Sequence, residues 1–126
     1  MRLSTRIHGI LDYTVGALLI AAPWILGFAT GGMEQWVFVG AGAAALVYSV
    51  FTDYELGVVR RIQMPVHLWL DGISGIFLML SPWIFAFDDV VRVPHLAAGA
   101  FEIVAALVTN TIPGYERRRG ARAEAG

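Results

Sequence analysis

His67-Leu68-Trp69-Leu70-Asp71-Gly72-Ile73-Ser74-Gly75-Ile76-Phe77-Leu78-Met79-Leu80-Ser81-Pro82-Trp83-Ile84-Phe85-Ala86-Phe87 is an almost wholly apolar run in which only His67 and Asp71 can ionise. Such a run has the ~20 residues that a helix needs to cross ~30 Å of hydrocarbon. The same skeleton stands 59 residues earlier: His8, Leu11, Asp12, Gly16, Leu19, Pro23, Trp24, Ile25 and Phe28 recur as His67, Leu70, Asp71, Gly75, Leu78, Pro82, Trp83, Ile84 and Phe87. A repeat of this kind sets the architecture before any local assignment is made.

A second apolar segment follows each copy, so four spans are read at 7–28, 35–51, 66–87 and 95–112. Helices are the reading that leaves no backbone group unpaired in lipid. The fold expected is all-α, a four-transmembrane-helix bundle of two tandem helical hairpins. Repeat 1 covers 7–52 and repeat 2 covers 66–112, within one membrane domain 1–126 that ends in a basic tail at 113–126. Composition agrees, with 57% hydrophobic and 15% charged residues, against about 25% charged in a soluble domain. Because the first span has a twin in mid-chain, it is expected to be a retained helix and not a cleaved signal segment.

All nine basic residues are arginine. Arg2 and Arg6 precede the first span, Arg60 and Arg61 lie in the middle connector, and Arg117, Arg118, Arg119 and Arg122 follow the fourth; only Arg92 falls on the other side. The positive-inside rule places both termini and the middle connector in the cytoplasm of a bacterial inner membrane. The tail arginines then serve as a topology anchor attracted to anionic lipid. A net charge of −1 gives no reason to expect nucleic acid. The lack of cysteine removes disulfides, thiolate metal sites and cysteine nucleophiles.

At ~100° per residue, Asp12, Gly16, Leu19 and Pro23 fall within about 80° of His8, whereas Trp24 and Phe28 point elsewhere. The narrow stripe suits helix–helix contact, with Gly16 and Gly75 letting backbones approach. Trp24 with Phe28, and Trp83 with Phe87, are expected in an aromatic belt at the outer interface. Pro23 and Pro82 should kink or end regular helix, freeing carbonyls that Ser81 or water would satisfy. Ser81-Pro82-Trp83-Ile84-Phe85-Ala86-Phe87 resembles the motif of the SPW-repeat family of small bacterial integral membrane proteins, and Ala22-Pro23-Trp24-Ile25-Leu26-Gly27-Phe28 resembles its second copy with Ala22 in place of the serine. The resemblance implies a helical membrane bundle and brings no activity, ligand or catalytic residue.

His8/Asp12 and His67/Asp71 are i,i+4 pairs, so each carboxylate lies one turn from its imidazole on one face. These pairs either orient each other at the membrane boundary, or meet across an axis as a four-ligand metal site or a proton relay, or face a partner subunit. Imidazole with carboxylate suits zinc, iron or manganese; a haem between His8 and His67 has no sequence signature behind it. In the fourth span His95, Gly99, Glu102, Ala106 and Thr109 share a face. At the constant 59-residue offset their counterparts are Trp36, Gly40, Ala43, Val47 and Val50, none of them ionisable. Glu102 either hydrogen-bonds a neighbouring helix or carries protons or a cation along a path with His95; ionisable groups inside a membrane are costly and mark function. The middle connector, with Tyr54, Glu55, Arg60 and Arg61, reads as a solvated surface segment.

No nucleotide-binding, serine-elbow, zinc-protease or c-type haem motif is present. The expectation is therefore a non-enzymatic membrane protein with no required cofactor. It is read as a structural or accessory subunit, packed with itself or in a larger membrane complex. The alternatives are a small transporter or proton or cation conductor using Glu102, His95 and the His–Asp pairs, and a metal- or haem-binding membrane protein.

Overall fold

The computed structural model describes residues 2–126. Five helices follow one another: α1 (Thr5–Ile25), α2 (Met33–Val50), α3 (Met64–Ile84), α4 (Val93–Val108) and α5 (Gly114–Ala125). Among the described residues there is no strand beyond two isolated bridges, Leu3 with Thr109 and Thr52 with Ile62. Three helices, α1 to α3, are long and apolar enough to cross a membrane. At 16 residues α4 is apolar but shorter, about 24 Å. It stops before the expected end because Thr109 turns to extended backbone (ψ 144°). Val108 O then accepts from Leu3 N, and Leu3 O accepts from Asn110 N.

Helix ends follow from sequence. Ser4 caps α1 by accepting from Ile7 N, as N-cap serines do. Pro65 and Pro94 sit in the first turns of α3 and α4, where a missing N–H costs nothing. Pro23 and Pro82 lie inside α1 and α3, each two residues before the end. Pro82 cannot donate to the carbonyl of Leu78; the Ser81 hydroxyl donates to it instead, at 2.7 Å. The serine of the motif thus satisfies the acceptor that its proline orphans. The chain then reverses through Gly27 (φ 80°) and Ala86 (φ 54°). Phe28 N and Phe87 N donate back to the carbonyls of Pro23 and Pro82, each at 2.8 Å.

That reversal corrects one expectation. Trp24 and Trp83 do face outward, but Phe28 and Phe87 are buried and join Leu19, Val37, Phe38 and Leu78 in the apolar core. The helical wheel stops applying once the chain leaves the helix after the proline. Outside, Leu18, Trp69, Ile73 and Leu107 are all more than half exposed, the outward apolar surface of a protein that lipid covers.

Two closely packed pairs, α1 with α2 and α3 with α4, are joined through α2 and α3. Glycines make the pairs tight: a Cβ on Gly42 would meet Gly16 O at 2.5 Å, and one on Gly75 would meet Gly99 O at 2.6 Å. Gly42 and Gly99 are therefore counterparts, 57 residues apart and not 59. Phe38 corresponds to His95, Ala45 to Glu102 and Thr52 to Thr109. The link from Phe87 to His95 is two residues shorter than that from Phe28 to Phe38, and both links seat a ring pair in the core.

The middle connector is not merely solvated. Tyr54 is fully buried with Met64 and Leu68. Glu55 accepts from Thr5 Oγ1 at 2.7 Å and from Gly114 N at 2.8 Å, tying the starts of α1 and α5 to the connector. Tyr115 of α5 donates to Asp53 and lies under Arg60. Burial, then the bond to Asp53, pushes its hydroxyl up to about 12.

Gly42→Ala and Gly75→Ala should each cost about 1–3 kcal/mol by overpacking. Gly40→Ala and Gly72→Ala, where a Cβ meets nothing within 4 Å, should be neutral or stabilising by about 0.5–1 kcal/mol. Thermal unfolding of the four variants in one detergent compares them directly.

Candidate functional site

The stripes of α1 and α3 bring His8, Asp12, His67 and Asp71 together, with one ligand atom from each lying within 4.8 Å of the others. His8 Nε2 is 2.7 Å from Asp71 Oδ2 and 3.1 Å from Asp12 Oδ1; His67 Nε2 is 2.9 Å from Asp12 Oδ2 and 3.3 Å from Asp71 Oδ2. Each imidazole is thus closer to the carboxylate of the other helix than to its own i+4 partner. The rings stand nearly perpendicular, with centroids 5.4 Å apart. All four side chains are nearly excluded from solvent.

The far nitrogens fix the tautomers. Thr109 Oγ1 donates to Ala105 O and Thr52 Oγ1 donates to Tyr48 O, both at 2.6 Å. A hydroxyl has one hydrogen, so each threonine must accept from its imidazole: His8 Nδ1–H at 2.8 Å and His67 Nδ1–H at 2.6 Å. Both Nε2 atoms are left facing the carboxylates. His67 Nε2 has no hydrogen-bond partner although it is fully buried; its direction misses the nearby oxygens. Two tyrosines hold the carboxylates in turn, Tyr48 Oη donating to Asp71 Oδ1 at 2.5 Å and Tyr54 Oη donating to Asp12 Oδ2 at 2.9 Å. Burial, then the charge of Asp12, holds the Tyr54 hydroxyl well above its ordinary range, so it remains a donor.

Every one of the four central side chains is therefore oriented by a second group, the pattern that positions metal ligands. Of these outer groups the sequence marked only Thr109. The charges around Tyr54 suggest solvent, and no motif of the sequence includes Tyr48 or Thr52. A two-residue shift in matching the second helices pairs Thr52 with Thr109, which is the signal that would have found one of them.

His95 and Glu102 are not joined to each other by a hydrogen bond. The His95 ring is enclosed by Phe38, Phe87 and Phe28, with centroids at 4.4, 4.8 and 5.4 Å, and its Nε2 donates to Glu34 O at 2.9 Å. Glu102 instead borders a small cavity beside His8, Asp12 and Asp71. The motif residues Pro23, Trp24, Ser81, Pro82 and Trp83 lie at the other ends of α1 and α3, away from this cluster.

A family model described as SPW repeat domain matches residues 6–109, and the chain belongs to that family. Neither curated proteins nor solved structures gave a match.

Thr52→Val and Thr109→Val keep the shape and strand one buried Nδ1–H each. Each should cost about 1–3 kcal/mol, and the two costs should be similar because the two bonds correspond. Denaturant or thermal unfolding of the purified variants gives the values.

Proposed function

We propose that this integral membrane protein binds a divalent transition-metal ion between His8, Asp12, His67 and Asp71. The observation that carries the reading is the convergence of four donor atoms within 4.8 Å, with His67 Nε2 fully buried and 2.9 Å from Asp12 Oδ2 without a well-formed hydrogen bond, its Nδ1–H being bound to Thr52. Two carboxylates and two neutral imidazoles carry a charge of −2, which one divalent ion neutralises. Neighbouring donor atoms are 2.7 to 3.3 Å apart. Donors ~2.0–2.1 Å from a tetrahedral ion stand roughly 3.4 Å apart, so the closest pair opens by about 0.7 Å while the widest, within 4.8 Å, draws in. Zinc, manganese or ferrous iron suits this donor set. A haem would need the space that the Asp12 and Asp71 carboxylates fill.

In this reading α1 to α4 form a four-span bundle of two duplicated hairpins related by a pseudo-two-fold axis along the membrane normal. What supports the axis is the correspondence of contacts: Leu3–Thr109 with Ile62–Thr52, His8–Thr109 with His67–Thr52, and Gly16–Gly42 with Gly75–Gly99. The arginine distribution supports an inner-membrane protein with both termini in the cytoplasm.

A second reading rests on the short His8–Asp71 hydrogen bond. Two protons then replace the ion, and the cluster is a latch in a structural or accessory subunit that packs with itself or a larger complex. Elemental analysis of protein purified in mild detergent separates the two. The metal reading expects about one divalent ion per chain, lost in His67→Ala and Asp71→Asn. Chelation should lower the unfolding temperature, and ion resupplied at about 100 Kd should return ~2.7 kcal/mol. Protein that takes up no ion and ignores chelator supports the latch instead.

Ala123→Cys, on a chain without natural cysteine, tests orientation. A membrane-impermeant maleimide should label it only after the cells are opened; labelling of intact cells would reverse the assignment.

A further inference from the structure

We infer that the metal centre is open on one side, where the ion takes a fifth donor, a water held by Glu102. This rests on the metal reading above and adds to it the coordination that the surrounding space allows. Beside the four ligands lies a cavity of about 20 Å³, bordered by His8, Asp12, Asp71, Tyr48 and Glu102. One water needs roughly 10–15 Å³ and two to four polar partners, and the cavity meets both conditions. Glu102 is 8% exposed, and its Oε2 is buried without a hydrogen-bond partner. It is not among the four residues whose donor atoms converge; it lines the cavity together with three of them, His8, Asp12 and Asp71.

Asymmetry strengthens the case. The counterpart of Glu102 is Ala45, which borders the same cavity. Two related helices thus meet one space, and only one brings a carboxyl to it. A tetrahedral ion closed by its four protein ligands leaves Glu102 Oε2 without a partner. An ion that carries a water gives it a partner, because metal-bound water is a strong donor and a carboxylate oxygen is an acceptor. α1 and α4 pack on each other far less than α1 does on α2 or α3 on α4. Val15 of α1 and Phe101 of α4 also line the cavity. The fifth position accepts water or a small anionic donor of similar size.

Cobalt reports coordination number, since its visible bands are intense when four-coordinate, clearly weaker when five-coordinate and faintest when six-coordinate. Purified wild type, Glu102→Gln and Glu102→Leu are loaded with Co2+ in mild detergent, and spectra are recorded with and without azide. Wild type and Glu102→Gln, which keeps an acceptor oxygen, should give weak bands that azide shifts. Glu102→Leu, which fills the cavity and removes the acceptor, should give bands several-fold stronger and indifferent to azide. Intense wild-type bands that neither azide nor Glu102→Leu alters would overturn the inference and leave the metal reading standing. Failure of wild type to take up cobalt would overturn both. Should Glu102→Leu not fold, the azide response of wild type decides.

Discussion

Two aspartates and two histidines are held where water scarcely reaches, and their charge has to be settled among themselves. A buried carboxylate without a counter-charge costs several kcal/mol even after relaxation. Asp12 and Asp71 therefore constrain everything within reach of them. The imidazoles approach from the opposite helix, the tyrosines donate from α2 and the connector, and the threonines hold the imidazoles so that each ring presents Nε2 inward. Such a network is costly when any member is missing and rigid when all are present. Close contact at glycines fixes α1 on α2 and α3 on α4, the two pairs from which the histidines and aspartates of this network project. The Leu3–Thr109 and Thr52–Ile62 bridges then set the ends in register.

The two ends of the molecule do different work. At one end the polar cluster lies beside the arginine-bearing connector and α5, with Glu55 tying both to α1. At the other end Phe28, Phe38 and Phe87 close over Leu19 and Leu78, and His95 is set into that apolar packing with its N–H spent on a backbone carbonyl. An imidazole in this setting is a shaped, hydrogen-bonded core residue. The motif prolines belong to the same end: by stopping α1 and α3 they turn the phenylalanines inward, and Ser81 repairs the helix that Pro82 breaks.

Much of this was legible in the sequence. Four polar residues at fixed positions in apolar surroundings can meet only if their stripes face each other, so His8, Asp12, His67 and Asp71 were found from spacing alone. What spacing could not show is the second tier. Tyr54 sits in a connector whose charges suggest solvent, and only the fold shows that its neighbours Met64 and Leu68 bury it. An ungapped match places Thr109 opposite Val50. The shorter loop after Phe87 shifts the register by two and places it opposite Thr52, with which its bonds agree. Phe28 and Phe87 were misplaced for a related reason: a helical wheel has no meaning beyond the proline that ends the helix.

The departures from correspondence argue for more than support. The inner four residues match in pairs, as does the threonine behind each histidine. The outer groups do not: Tyr48 corresponds to Ala105, and Glu102 to Ala45, so one stretch brings a phenol and the other a carboxyl to the same cluster. A cluster that only locked helices together would be served as well by matched surroundings. A donor on Asp71 from one side and a carboxyl across a water-sized space on another give the centre a direction. A carboxyl buried without a hydrogen bond costs stability, and such a cost is kept where a bound group relieves it. Glu102 Oε2 bears that cost beside the water-sized cavity that His8, Asp12 and Asp71 also line.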